Sequence, residues 1–305
     1  MLAEAEMRSA EYDPGGSGSV RIHNIPLSDE QLRQLEEYYG FDKPVLTSYL
    51  LWLKKVVSLD LGTSTRYYEP VWDLIKSKLP VSIFFGLATF FLTYLICIPL
   101  GILKALNHKT AFDHVTSVFI FVGYAVPGFV VGIFLLILFA SRFEWFPLGG
   151  FVSDNFSDLS LWGKTIDLIR HTTLPLIAYL VGEFAVMTLL VKNSLMDHLA
   201  ADYVRTAMAK GLSFKRAVLK HALRNSLIPI ATTFGHIISA FVMGSFLIES
   251  VFNLDGLGLL GYDSVIQRDY PVVIGILAIT SLLHLIGNIL SDICVAIVDP
   301  RVQFK

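Results

Sequence analysis

A dense group of charged side chains, from Lys192 to Arg224, lies between two long apolar stretches and holds seven Lys or Arg against two acidic residues. Charge of this kind does docking chemistry rather than bond-making chemistry. It either sits on an acidic partner surface or anchors the inner side of a membrane. The punctuation inside it is more specific. Asp202 to Lys210 reads as a short helix, and Gly211 sits where a left-handed residue would stop it. Ser213 is placed to accept from the amides of a second helix as its N-cap. That second helix carries two rows at i, i+4 spacing: Phe214, Val218 and Ala222 are apolar, and Arg216, Lys220 and Arg224 are basic. Three like charges stacked this way repel unless something acidic lies opposite. Membrane anchoring accounts for the charge but not for the Gly-Leu-Ser break, so the stretch reads as a contact surface for a partner.

The elements that position it are apolar. The chain has 305 residues, of which 54% are apolar, and a mean hydropathy of +0.60, well above that of soluble proteins. Five runs are long enough to cross a hydrocarbon core: 79–103, 115–141, 172–191, 226–248 and 271–291. With the N-terminal part outside, the inner loops carry eleven Lys or Arg and the outer loops four, which the positive-inside rule prefers. This topology puts Gly211 in the cytoplasm. The net charge of −2 says little, because the signs are segregated along the chain. Cys97 and Cys294 lie in separate apolar runs without metal-ligand spacing and read as packing residues. There is no phosphate-binding loop, zinc-protease motif or dinucleotide fingerprint, so no catalytic or metal residue is assigned. Energy from ATP must come from another chain.

Residues 1–20 lack apolar periodicity and read as flexible. Residues 21–78 read as an extracytoplasmic helical segment. Within it, Ser28 and Gln31 form a capping box for a helix closed by Gly40, and a second amphipathic helix runs from Val45 to Ser58. Val45, Tyr49, Trp52, Leu53, Val56 and Val57 share one face of it. Residues 79–305 read as the transmembrane domain, with 192–225 as its cytoplasmic loop.

On these residues the chain resembles a known family. Asp202-Tyr203-Val204-Arg205-Thr206-Ala207, Ala209-Lys210-Gly211 and His221-Ala222-Leu223-Arg224-Asn225 are similar to the EAA loop of ABC importer permeases of the dipeptide/oligopeptide type. Arg205 stands where the broad family has Glu, and Met208 where Arg is commoner. Tyr39 to Pro44 and Asp60 to Ser64 resemble the external segment that follows a first transmembrane helix in that family. Val126-Pro127-Gly128-Phe129, Ile248-Glu249-Ser250-Val251-Phe252 and Arg268-Asp269-Tyr270-Pro271 extend the likeness. Gly256 to Tyr262, with Phe146-Pro147-Leu148 and Val152 to Phe156, resembles the Yej-type subgroup, associated with microcin C-like peptides.

The resemblance implies an all-α type I ABC importer transmembrane domain in a bacterial inner membrane, with five spans here where the family has six. The chain is therefore expected to be a truncated or mis-started form. The resemblance also implies a coupling helix at Ser213 to Lys220 that rests in a groove on a cytoplasmic ATPase. The residues carried over to ATPase coupling are Asp202, Tyr203, Arg205, Ala207, Lys210, Gly211, Ser213, Phe214, Arg216, Val218, Lys220, His221, Arg224 and Asn225. The implied partners are a second permease, two ATPases that hold ATP and magnesium, an extracytoplasmic binding protein, and membrane lipid. No cofactor on this chain and no nucleic acid are expected. The outer stretch from Glu249 to Pro271, loop-rich and acidic, is the expected contact for the binding protein.

Glu183 is the one charge expected deep in a span. It either lines a substrate path or hydrogen-bonds to a neighbouring helix. His236 is a second candidate for the path, and His284 reads as a satisfied interior histidine. Asn288 and Asp292, four apart, are placed to bond across helices, and Gly128 with Gly132 forms a face for close helix approach. Pro99, Pro127 and Pro175 are expected to kink their spans. Two other classes remain open. A secondary transporter or channel would work without an ATPase and would carry paired charges and an internal repeat. An intramembrane enzyme would need its nucleophile and base at one depth.

Overall fold

Three of the five apolar runs, 79–103, 172–191 and 271–291, lie in helices longer than a hydrocarbon core is thick. The computed structural model describes residues 44–242 and 244–299, with backbone alone at 236–242. The expected flexible residues 1–20 and the Ser28–Gln31 capping box lie outside the described residues. The chain divides into two units, 1–58 and 59–305.

In the first unit, helix α1 (Val45–Val57) begins after Pro44, whose fixed φ suits a helix start, and ends at Ser58, whose hydroxyl donates to the Lys54 carbonyl. None of its residues is buried, and Tyr49 and Trp52 stand with ring centroids 5.9 Å apart.

The second unit is organised along α2 (Val71–Leu106), 36 residues and therefore about 54 Å long. It is followed by α3 (Ala111–Ala125), α4 (Gly128–Leu135) with a π-helical continuation over Leu136–Arg142, and α5 (Leu161–Ala200). Short helices α6 (Asp202–Ala209) and α7 (Phe214–Ala217), a π turn over Val218–Ala222, and α8 (Leu223–Ser226) lead into α9 (Ile228–Val242). Then come α10 (Phe246–Val251), α11 (Leu257–Ile266) and α12 (Tyr270–Val298).

Three of the described helices, α2, α5 and α12, are long and apolar enough to span, and α3 with α4 and its continuation reaches that length and hydropathy only as a bent pair. The bend is 96° and falls at Val126-Pro127, so the expected span 115–141 is broken there. Pro99 and Pro175, in contrast, lie inside continuous helices. The expected span 226–248 is also not one helix. It stops at Val242, Gly244 takes φ +72°, and α10 starts afresh.

Four buried clusters succeed one another along α2. Val71, Leu74 and Ile75 pack with Leu257, Leu260 and Val272. Phe85 packs with Leu174, Ala178, Tyr179, Ile248 and Phe252. Phe90 and Cys97 meet Met187, Val191 and Ile230, which bears out the packing role of Cys97. Ala105 joins Leu195 and the residues after α5.

Between spans, apolar side chains gain little from burial, because lipid tails are equally apolar, so small residues carry the contacts. Gly235 of α9 and Gly287 of α12 cross backbone to backbone, and a Cβ at Gly235 would fall 1.4 Å from the Gly287 carbonyl oxygen. One turn away the Ser291 hydroxyl donates to the carbonyls of Ala231 and Thr232. Gly128 and Gly132 do give close approach, against Ala178 of α5 and against Phe252.

Asp269 precedes α12 at its N-cap, but its carboxylate does not cap that helix. It is fully buried and accepts from the Ser64 hydroxyl at 2.5 Å and the Thr65 amide at 3.2 Å. The Ser64 oxygen in turn accepts from the amides of Arg66 and Tyr67. Asp269→Ala is expected to cost about 1.5–3 kcal/mol, as for hydrogen bonds to a charged group, and to free the loop 59–70. Faster limited proteolysis at Arg66, with cleavage elsewhere unchanged, checks it.

Candidate functional site

Helix α6 ends as the glycine spacing predicts. Lys210 is its C-cap and Gly211 has φ +94°. The Gly211 amide donates to the Met208 carbonyl and the Leu212 amide to the Ala207 carbonyl, the paired closure of a Schellman motif. A residue with a Cβ would be strained at this φ. Ser213 occupies the N-cap position of α7 with extended backbone, but its hydroxyl accepts no capping hydrogen bond, which corrects the expected cap.

The expected single helix from Ser213 to Lys220 is also corrected. It is one short α turn followed by a wider π turn over Val218–Ala222. The residues that turn inward are Val204, Ala207, Ala217, Val218 and Ala222. They seat the segment on Ala105 of α2 and Leu195 of α5, with Ile102, Met196 and Leu199 around them.

Of the apolar row, Val218 and Ala222 are buried, whereas Phe214 is 54% exposed, as is Leu219. Asp202, Tyr203, Arg205, Lys210, Gly211, Ser213, Arg216, Lys220 and Arg224 are exposed too, and His221 and Asn225 are half-buried. Arg205 lies 3.8 Å from Asp202, the Tyr203 hydroxyl is 2.9 Å from His198 Nδ1, and Arg224 Nε donates to the Val298 carbonyl at the end of α12. The segment thus presents two apolar side chains among basic ones on a base fixed to two spanning helices.

Immediately beyond that base is a charged cluster not anticipated from the sequence. Lys104 of α2 is fully buried, and Lys192 of α5 and Asp113 of α3 nearly so. Lys192 Nζ reaches both Asp113 carboxylate oxygens at 2.7 and 2.8 Å. Lys104 Nζ lies 3.0 Å from Asp113 Oδ1 and donates to the Asp113 carbonyl and the hydroxyls of Thr116 and Ser117. The Lys109 amide and His108 Nδ1 complete the shell of Asp113. One signal was legible: Lys104 stands inside an apolar run, between Leu103 and Ala105.

The other singled-out residues are dispersed. Glu183 lies half-buried on α5, one residue before the Phe184 carbonyl that receives the Cys97 thiol. His236 is on α9, and its side chain lies outside the described residues. His284, Asn288 and Asp292 are exposed on α12, and no hydrogen bond joins Asn288 or Asp292 to another helix among the described residues.

The outer stretch keeps its loops but internalises much of its acid. Glu249 is 1% exposed, accepts from the Leu259 amide, and is closely approached by Gly244, Gly256 and Gly258. Asp269 is buried, and Asp255 is paired with Lys78. The exposed side chains there are mixed: Tyr262, Val265, Ile266 and Tyr270 stand among Ser250, Asn253, Asp255, Gln267 and Arg268.

Long apolar helices around small-residue crossings, with a basic segment seated on the ends of two of them, define a multi-pass membrane protein. The chain belongs to the family described as "Binding-protein-dependent transport system inner membrane component", matched over residues 97–304. It is an inner-membrane permease of the dipeptide/oligopeptide ABC type and not itself an enzyme. It is 48% identical over 292 residues to the peptidoglycan transport system permease protein YejB of Agrobacterium fabrum, covering 95% of this chain and 80% of that one. It is 44% identical to the inner membrane ABC transporter permease protein YejB of Escherichia coli O157:H7 (97% and 83% covered). To the oligopeptide transport system permease protein AppB of Bacillus subtilis it is 37% identical (100% and 94% covered). These agree with the Yej-type likeness of Gly256 to Tyr262. Among solved structures it is similar in fold to the MetNI methionine ABC transporter in inward-facing conformations, with TM-score 0.54, 13% identity, and coverage of 72% of this chain and 96% of that one.

Proposed function

We propose that this permease carries peptides or peptide-like compounds inward, and that a cytoplasmic ATPase drives it through the segment 202–222. One observation carries the reading: the Schellman break at Gly211 fixes a partly apolar, basic surface outside the bundle while its underside is seated on α2 and α5. Push or pull on that surface moves two spanning helices directly. ATP and magnesium belong to the partner ATPase in this reading, and a second permease and a binding protein complete the importer. Alternating access then follows from ATPase closure drawing the two segments together.

Glu183 and His236 are proposed to face the translocation path, and the exposed aromatic residues between Tyr262 and Tyr270 to meet the binding protein. The relatives named for peptidoglycan and oligopeptide transport support a peptide-bond-containing substrate.

Phe214→Glu places a carboxylate on an exposed site, so the protein is expected to insert and fold while losing the ATPase. Gly211→Pro, which cannot adopt φ +94°, is expected to do the same with some loss of local structure. Co-purification of the ATPase from membranes reads both. Undiminished recovery with Phe214→Glu would remove the assignment.

A further inference from the structure

The charged cluster at the foot of α3 has a position that the docking segment alone does not explain. Of the 15 residues of α3, only Asp113 and Ile120 are buried. Above the foot, an apolar gap of about 400 Å³ separates α3 from α2 and α5, lined by Leu100, Phe119, Ile120, Val181 and Phe184. At its far end α3 meets the 96° bend at Pro127. The helix is therefore held at its foot by Asp113 and ends at the bend, where Gly123 and Gly128 lie close to Val181 and Ala178 of α5. The residues that grip Asp113 are one position from Ala105 and three from Leu195, the two side chains on which the docking segment is seated.

We propose that Asp113, gripped by Lys104 and Lys192, is a positioning residue that ties the foot of α3 to the seat of the docking segment. Movement of that segment then carries α3 with it and is taken up at Pro127. Packing alone would not achieve this, because α3 has almost no buried apolar surface near its foot. An ion pair enclosed on three helices resists shear, because sliding would strip both ammonium groups of their oxygens. The transmission rests on the ATPase-coupling reading; the tie itself does not.

The useful variant is Lys192→Met, which keeps the length of the side chain and leaves Asp113 paired with Lys104, so the bundle remains charge-balanced there. Nitroxide labels at Phe112 and Ala209, both exposed and neither among the residues assigned to the ATPase contact, report the separation of the α3 foot from the docking segment, in a Cys97→Ala, Cys294→Ala background. In lipid nanodiscs without partners, the parent chain is expected to give one narrow distance. Lys192→Met should give a broad distribution, and Lys192→Arg should restore the narrow one. With the ATPase bound, ATP should leave the parent distance unchanged and shift it in Lys192→Met. Uptake per ATP hydrolysed should fall roughly tenfold in that variant and recover in Lys192→Arg. A Lys192→Met distribution as narrow as the parent's overturns the tie, as does a parent distance that changes with ATP. If the ATPase does not co-purify with the parent chain, the coupling reading fails, and the partner-free comparison still decides the tie.

Discussion

Gly235→Ala is expected to lose most of the correctly folded protein, although it adds a single methyl group. The added carbon would lie 1.4 Å from the Gly287 carbonyl oxygen and 2.1 Å from its carbon. These are backbone atoms of a 29-residue helix, so no rotamer change relieves the overlap, and α9 and α12 must separate. Separation also stretches the Ser291 hydroxyl from the Ala231 and Thr232 carbonyls. Overpacking typically costs about 1–3 kcal/mol where side chains can yield, and here they cannot, so roughly 4 kcal/mol or more is expected. Fluorescence-detected size exclusion and the melting temperature in detergent read the loss. Gly182→Ala is the control, since a Cβ there meets nothing within 4 Å and should leave both measurements unchanged.

Asp113→Ala should be nearly as damaging for an electrostatic reason. It leaves Lys104, fully buried, and Lys192, almost so, without the carboxylate both face. Breaking a buried pair by removing one partner costs about 3–5 kcal/mol, because the remaining charge stays out of water. Here two charges remain. Asp113→Asn keeps the shape and some hydrogen bonding and should cost less. Asp113→Asn combined with Lys192→Met should be more stable than Asp113→Asn alone, because one buried cation is gone. The sign of that difference in melting temperature separates charge from packing. Equal losses in the single and double variants would mean that the cluster contributes only shape.

Most of the architecture was legible because it rests on local chemistry. Gly211 needed no partner to be recognised as a helix stop, since its left-handed φ follows from the lack of a Cβ, and the structure has it there. The long apolar runs likewise announced α2, α5 and α12. The break after Val242 was hidden because a span of apolar letters reads the same whether or not its backbone is continuous. The π turn at Val218–Ala222 was hidden for a related reason: the i, i+4 rows assume an unbroken α register, and apolar letters alone do not say that Val218 and Ala222 turn inward while Phe214 stays exposed. The charged cluster was the largest omission. Lys104, Asp113 and Lys192 are 9 and 79 residues apart in sequence, so no window joins them, and each counted as an ordinary loop charge. Glu249 and Asp269 misled in the same direction, as acids at the membrane surface that turned out to be internal.

Ser281, His284, Asn288 and Asp292, all exposed and polar, indicate how α12 is rotated in the bilayer. His284, Asn288 and Asp292 recur every four residues along one side, while Leu285, Ile289 and Ile293, 60, 59 and 46% exposed, form a neighbouring greasy stripe. A carboxylate facing acyl chains costs several kcal/mol, so only the greasy stripe is compatible with lipid. The membrane therefore wets α12 from one flank, and the other flank is reserved for protein or water.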